Sequence, residues 1–322
     1  MPKIRYDALL VLSFGGPDRR EDVMPFLERV TRGRNIPRER LEEVAGNYYA
    51  CGGKSPINDQ CRALIEALRK ELPGLPVYWG NRNWHPLVED TMRQMRDDGV
   101  RRAVVFVTSA WSSYSGCRQY REDLERARAA VGDDAPVCDK LRQFCFEPGF
   151  IEPLADNVRA ALARGPANLL FTAHSIPLSM AAGSRYVEQL SESCRLVAGL
   201  AGGPEYKLVY QSRSGPPGQP WLEPDLRDAL TAIAAGAGPR AVVVAPIGFI
   251  SDHMEVVFDL DVQAREHAGK LGLSMIRCAT AGTDPRFIRM IGKLIEERSR
   301  LGEEANWCRE DCCPAPARHA PS

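Results

Sequence analysis

Residues 240 to 261 read RAVVVAPIGFISDHMEVVFDLD. Ala241 to Ala245 is continuously apolar and rich in valine, the pattern of a parallel strand covered on both faces. Pro246, Gly248 and Ser251 end the strand. A helix then enters with Glu255 and Asp259 four residues apart, so two carboxylates share one face. A parallel sheet offers its ligand crevice where strands end and helices begin. His253, Glu255, Asp259 and Asp261 therefore arrive where a cation could be handled. Asp252 followed three residues later by Glu255 also fits a capping box, a purely structural use of the same side chains. A second apolar run, Leu169 to Ala173 in LLFTAHSIP, carries His174 at its tip. A single histidine at a strand end is usually just hydrogen-bonded in place. Two chemistry-bearing strand ends together favour a site.

The 322 residues give room for about two domains with their own cores. The 42 basic and 42 acidic residues cancel, which argues against a nucleic-acid surface. No apolar run approaches the roughly 18 residues of a membrane span. The opening MPKIRYDALLVLSFGGPDRR has a short apolar core and no small-residue cleavage site, so it is read as a first strand and the protein is expected in the cytoplasm. In that reducing compartment ten cysteines do not imply a disulfide framework.

Strand-like runs recur at 8–13, 77–80, 103–108, 169–173, 207–211, 241–245 and 273–276, with helical patterns between them. This alternation means parallel sheets with right-handed crossovers. It restarts after residue 146, and LLVLSFGGP at 9–17 matches LLFTAHSIP at 169–177 in place and pattern. The expected fold is α/β, two similar Rossmann-like lobes with a cleft between them: residues 1–146, residues 147–300, and a cysteine-bearing tail at 301–322. The first lobe carries an insertion, 15–58, far longer than an ordinary βα loop, and is expected to form a helical lid. Its Arg32, Arg34, Asn47, Tyr48, Tyr49 and the turn GGKSP at 52–56 suit a flat ligand bearing carboxylates, since rings stack and guanidinium groups pair with acids. LSFGGPD is not a dinucleotide fingerprint, and no GxxxxGK[ST] occurs.

Cys308, Cys312 and Cys313 crowd into NWCREDCC beyond the last helix. Three thiolates make an incomplete metal or cluster site, and Cys117 in the turn YSGC is the candidate fourth ligand. Zinc and iron–sulfur both remain open from thiolates alone.

With GGKSP, TAHSIP, YQSRSGPPGQPWLEPD and GFISDHMEVVFDLD present in order, the chain resembles the ferrochelatases from residue 8 to about 300. The resemblance implies insertion of Fe2+ into a porphyrin held between the lobes, with porphyrin and ferrous iron as its partners. It makes His174 and Glu255 the catalytic pair and transient iron ligands, Glu255 sitting opposite His174, and leaves open which of them takes the pyrrole protons. Asp259 would extend an acidic path, which in some relatives continues with a glutamate where this chain has Gln263. Phe14, Arg32, Asn47, Tyr48, Ser55 and Tyr120 match positions that contact the porphyrin. Phe14 stands where some relatives carry an iron-ligating tyrosine, and Asn47 where an arginine often stands. Cys117, Cys308, Cys312 and Cys313 resemble the ligands of a [2Fe-2S] cluster found in a subset of the family, most like the soluble enzymes of high-GC Gram-positive bacteria. That branch uses coproporphyrin III in heme biosynthesis. The alternatives are protoporphyrin IX as substrate, or a non-catalytic bilobal carrier of porphyrin or metal. The protein is expected to be a monomer in transient contact with neighbouring heme-pathway enzymes.

Overall fold

The computed structural model describes residues 4–33, 35–215, 218–305 and 311–315. Eight strands form two sheets: β1 (Ala8–Ser13), β2 (Val77–Asn81), β3 (Arg102–Val107) and β4 (Val137–Lys140) in the first, β5 (Asn168–His174), β6 (Tyr206–Gln211), β7 (Ala241–Ala245) and β8 (Ser274–Arg277) in the second. The orders are β2-β1-β3-β4 and β6-β5-β7-β8, and every pair is parallel. The same order in both halves is the two-lobed α/β architecture expected from the restart of the pattern. The central strands are apolar because helices cover both faces; all six residues of β1 are buried. β4 is the strand that periodicity missed. It is four residues long, pairs only with β3, and reads VCDK with Val137 exposed, so it carries no hydrophobic run to detect.

The long insertion is helical as expected, with helices at Val23–Val30 and Arg38–Ala50. Val23, Phe26, Leu27 and Ala45 form a small core of their own, with Phe14, Tyr48, Tyr49 and Trp84 packed against it.

The last helix, Pro285–Leu301, starts as the sequence predicts: the Asp284 carboxylate accepts from the Arg286 N–H at 2.8 Å and Pro285 occupies the first turn. It crosses back to the first lobe, where the Ile4 N–H donates to the Ser299 carbonyl. Its buried Phe287 and Ile291 share one cluster with Leu9 and Leu68 of the first lobe and Phe171 and Val243 of the second. Phe144 lies 5.2 Å from Phe106, 5.7 Å from Phe150 and 5.9 Å from Phe287, ring to ring. Such aromatic pairs contribute about 0.5–1.5 kcal/mol each beyond their buried area. The lobes are thus fastened by shared core. Among the described residues no helix is long and apolar enough to cross a membrane.

Where β7 ends, the chain turns tightly against its neighbour β5. The Gly248 N–H donates to the Thr172 carbonyl at 2.9 Å, and a Cβ at Gly248 would come within 2.5 Å of the Ala173 Cα. Only glycine permits that approach. Gly248→Ala should therefore destabilise the protein by about 1–3 kcal/mol, measured by thermal unfolding; an unchanged Tm would contradict the close contact.

Candidate active site

β5 and β7 are hydrogen-bonded neighbours, with Phe171 beside Ala245, so their carboxyl ends deliver the next residues to one place. His174 ends β5. After β7 the turn at 246–252 leads to His253, which opens a short helix at Met254–Val256 and a π-helix at Val257–Ala264. The sequence pattern predicts an ordinary α-helix there. The wider turn of a π-helix is frequent at functional positions. The capping-box reading fails in detail, because the cap is His253, whose Nδ1 accepts from the Glu255 N–H at 3.2 Å.

His174 Nε2 and Glu255 Oε2 are 3.4 Å apart, and both residues come from the second lobe. They are direct partners on one wall rather than groups facing each other across a gap. The side chains are 30% and 49% exposed, so a ligand can reach both. The Nδ1–H of His174 donates to the Ser175 carbonyl at 2.5 Å, which fixes the tautomer and aims Nε2 at Glu255. The Tyr186 hydroxyl donates to the His174 carbonyl, and Gln211 Nε2 donates to the Glu255 carbonyl. Burial alone would push the His174 imidazole down, but the Glu255 charge and hydrogen bond, helped by the Ser175 carbonyl, outweigh it and raise the pKa to about 9. For Glu255, burial works upward and the two histidines, His174 foremost, win, holding the carboxyl at about 2. His253, whose Nδ1 lies 3.9 Å from Glu255 Oε2, is pushed down by burial, with the Glu255 carboxylate opposing that shift.

Asp259 lies one turn on. Burial pushes its carboxyl up to about 6, against the hydrogen bond donated by Ser212 Oγ and with the Glu255 charge adding to the rise. Ser212 holds a φ of 63°, strained for a residue with a side chain, in order to present that hydroxyl. Asp259 can therefore change protonation near neutral pH. Gln263 lies on the same π-helix and supplies no further carboxylate.

From the first lobe, Tyr48 of the insertion comes within electrostatic reach: burial, and then the Glu255 charge, push its hydroxyl well above the usual range. Phe14 is half-buried and packs edge-on to Phe26 at 6.3 Å, while Phe26 lies 6.1 Å from Tyr48. Arg32 is exposed and Asn47 half-buried. Ser55 and Tyr120 are buried, the latter under the Arg82 guanidinium at 3.7 Å. His253, which the sequence places with Glu255 and Asp259 at the end of β7, stands beside the Glu255 carboxylate.

Of the tail, Cys308 lies outside the described residues. Cys117 is buried in the turn Tyr114–Arg118, and Cys313 is buried with a φ of 54°. Arg118 Nη1 donates to the Cys312 carbonyl at 3.3 Å and Arg121 Nη2 to the Cys312 sulfur at 3.8 Å, which brings the tail to the Cys117 turn. Among the described residues no group of three or more metal-binding side chains is assembled.

A family profile described as Ferrochelatase matches residues 6–299. A ferrochelatase from Rhodopirellula baltica is 50% identical over 98% of this chain and 95% of its own length. Coproporphyrin III ferrochelatases from Nocardia farcinica and Streptomyces coelicolor are 52% and 50% identical, each over 97% of this chain, covering 97% and 94% of their own lengths. Among solved structures, the sirohydrochlorin chelatase SirB from Bacillus subtilis subspecies spizizenii in complex with cobalt superposes with a TM-score of 0.57 over 93% of this chain and 97% of its own, at 10% identity, a likeness of fold.

The charge pair predicts its own pH dependence. His174 stands above its ordinary 6.5 when folded, so its share of stability is complete below pH 6.5 and is lost as the pH rises through about 9. Glu255 stands below its ordinary 4.5, so its share is present above pH 4.5 and is lost as the pH falls toward 2. Imidazole NMR should find the His174 midpoint near 9. In Glu255→Gln that midpoint should fall by at least about one unit as burial takes over; an unmoved midpoint would mean the two groups do not interact.

Proposed function

Because the chain belongs to the ferrochelatase family, we propose that it inserts Fe2+ into coproporphyrin III to give coproheme III in heme biosynthesis, with His174 and Glu255 as the groups that do the chemistry. The 3.4 Å pair at the carboxyl ends of β5 and β7 is the observation that carries this reading. The substrate assignment is supported by relatives named as coproporphyrin III ferrochelatases at 50–54% identity.

A free-base porphyrin must lose two pyrrole protons while hydrated Fe2+ sheds water. His174 rests as an imidazolium at neutral pH, so it must first release its Nε2 proton before that nitrogen can accept a pyrrole proton or bind iron. Glu255, held at about 2, is its counterion at 3.4 Å and not the proton's destination, so the proton leaves to water on the open side of the site. Asp259, whose carboxyl burial pushes up to about 6, lies within electrostatic reach of Glu255 and His174 and can exchange protons near neutral pH. An arriving Fe2+ favours the same change, since a cation beside the imidazole displaces its proton. Phe14 offers the porphyrin a phenyl ring without an oxygen, so it packs but does not ligate. Tyr48 and Arg32 in the lid are assigned to the porphyrin and its carboxylates, as are Asn47, Ser55 and Tyr120.

The tail is assigned to a [2Fe-2S] cluster on Cys117, Cys308, Cys312 and Cys313. Among the described residues, the buried Cys117 and Cys313 and the guanidinium of Arg121 on the Cys312 sulfur, which favours a thiolate, support this assignment. When bound, the cluster would tie the tail to the first lobe.

Purified His174→Ala should lose catalysed insertion, followed anaerobically as loss of the free-base Soret band, by about 100-fold or more while porphyrin still binds. Glu255→Gln should lower turnover with less effect on affinity. Coproporphyrin III should be metallated faster than protoporphyrin IX under the same conditions. Wild-type protein that binds porphyrin without accelerating iron insertion would indicate a carrier instead. For the tail, protein as isolated should show visible cluster absorption that Cys312→Ser abolishes; stoichiometric zinc without inorganic sulfide would defeat the assignment.

A further inference from the structure

Glu255 and Asp259 sit on one stretch, 252–261, and a single guanidinium grips both of its ends. Arg277 closes β8. Its Nη1 and Nη2 donate to the two oxygens of Asp252 at 3.1 and 2.9 Å, and its Nε donates to Asp261 Oδ1 at 2.8 Å. Between those anchors lie His253, Glu255 and Asp259. All three side chains of the clamp are largely sheltered from water, Arg277 being 17% exposed. Asp252 is further held by its own N–H, which donates to Gln60 Oε1 of the first lobe at 3.1 Å, and Asp261 also pairs with Arg265 at 3.4 Å.

The clamp matters because one end of the stretch borders open space. Asp252 and Arg277 line a cavity of about 530 Å³ at the junction of the lobes, together with Gln60, Thr108 and Asp284. An end that borders space can shift unless a side chain ties it down. A forked guanidinium fixes two carboxylates in plane and at a set separation, which an ammonium cannot do. We propose that Arg277 is a positioning residue for metal insertion: by holding Asp252 and Asp261 together it sets where Glu255 stands relative to His174, without itself touching porphyrin or iron. The proposal rests on the iron-insertion reading above.

Arg277→Ala, assayed for anaerobic Fe2+ insertion into coproporphyrin III, should lose about 10- to 100-fold in kcat with the porphyrin KM changed less than about threefold. Millimolar guanidinium chloride should restore part of the lost kcat in Arg277→Ala, whereas methylammonium chloride should not. Arg277→Lys should remain impaired although it keeps the charge. Asp261→Asn, which weakens one anchor only, should lose less than Arg277→Ala and gain nothing from guanidinium. Wild-type kcat in Arg277→Ala or Arg277→Lys would overturn the proposal. So would a loss that guanidinium leaves unchanged in protein of wild-type Tm. If wild-type protein itself inserts no iron, it is the functional reading that fails.

Discussion

An imidazolium and a carboxylate 3.4 Å apart, half open to water, organise this molecule. Neither group is where it is by its own preference. β5 and β7 are adjacent parallel strands, and parallel strands release their ends on the same edge of the sheet. Gly248 lets the chain after β7 press against Ala173, one residue from His174. The pairing that puts a charge on His174 also keeps Glu255 ionised, so each stabilises the other's charged form. A site for exchanging protons and a divalent cation needs that poise. Asp259, pushed toward neutral by burial, extends it one turn outward.

The two sheets share a strand order, yet the lobes are not equivalent in use. The second sheet supplies His174, His253, Glu255 and Asp259, while the first supplies Phe14 and the insertion bearing Tyr48. A shared core keeps these contributions in register. Phe144 from the connection between the lobes and Phe287 from the last helix join the aromatic cluster, and that helix returns to bond with Ile4. The helical insertion has a small core of its own around Phe26.

Much of this was legible in the sequence. The valine run at Ala241–Ala245 and the apolar run ending at His174 are buried parallel strands, and their ends bear the expected groups. The spacing of Glu255 and Asp259 put both carboxylates at the site. What escaped detection has physical reasons. β4 is an edge strand whose exposed Val137 and charged residues carry no periodicity. The π-helix cannot be told from an α-helix by residue type, since both repeat apolar groups at similar intervals. Asp252 looks like a cap because its spacing to Glu255 is right; only the fold reveals that Arg277, some 25 residues away, claims its carboxylate. A side chain committed to a distant partner leaves no local signature. Glu255 was expected as the partner of His174 and stands 3.4 Å from it, a relation set by strand adjacency that a linear pattern does not encode.

The most direct trial of this account is a crystal structure of the protein with bound coproporphyrin III. It should place His174 Nε2 and the Glu255 carboxylate over the pyrrole nitrogens on one face of the macrocycle, with Phe14 on the other. A porphyrin seated elsewhere, with the His174–Glu255 pair turned away from its nitrogens, would contradict it.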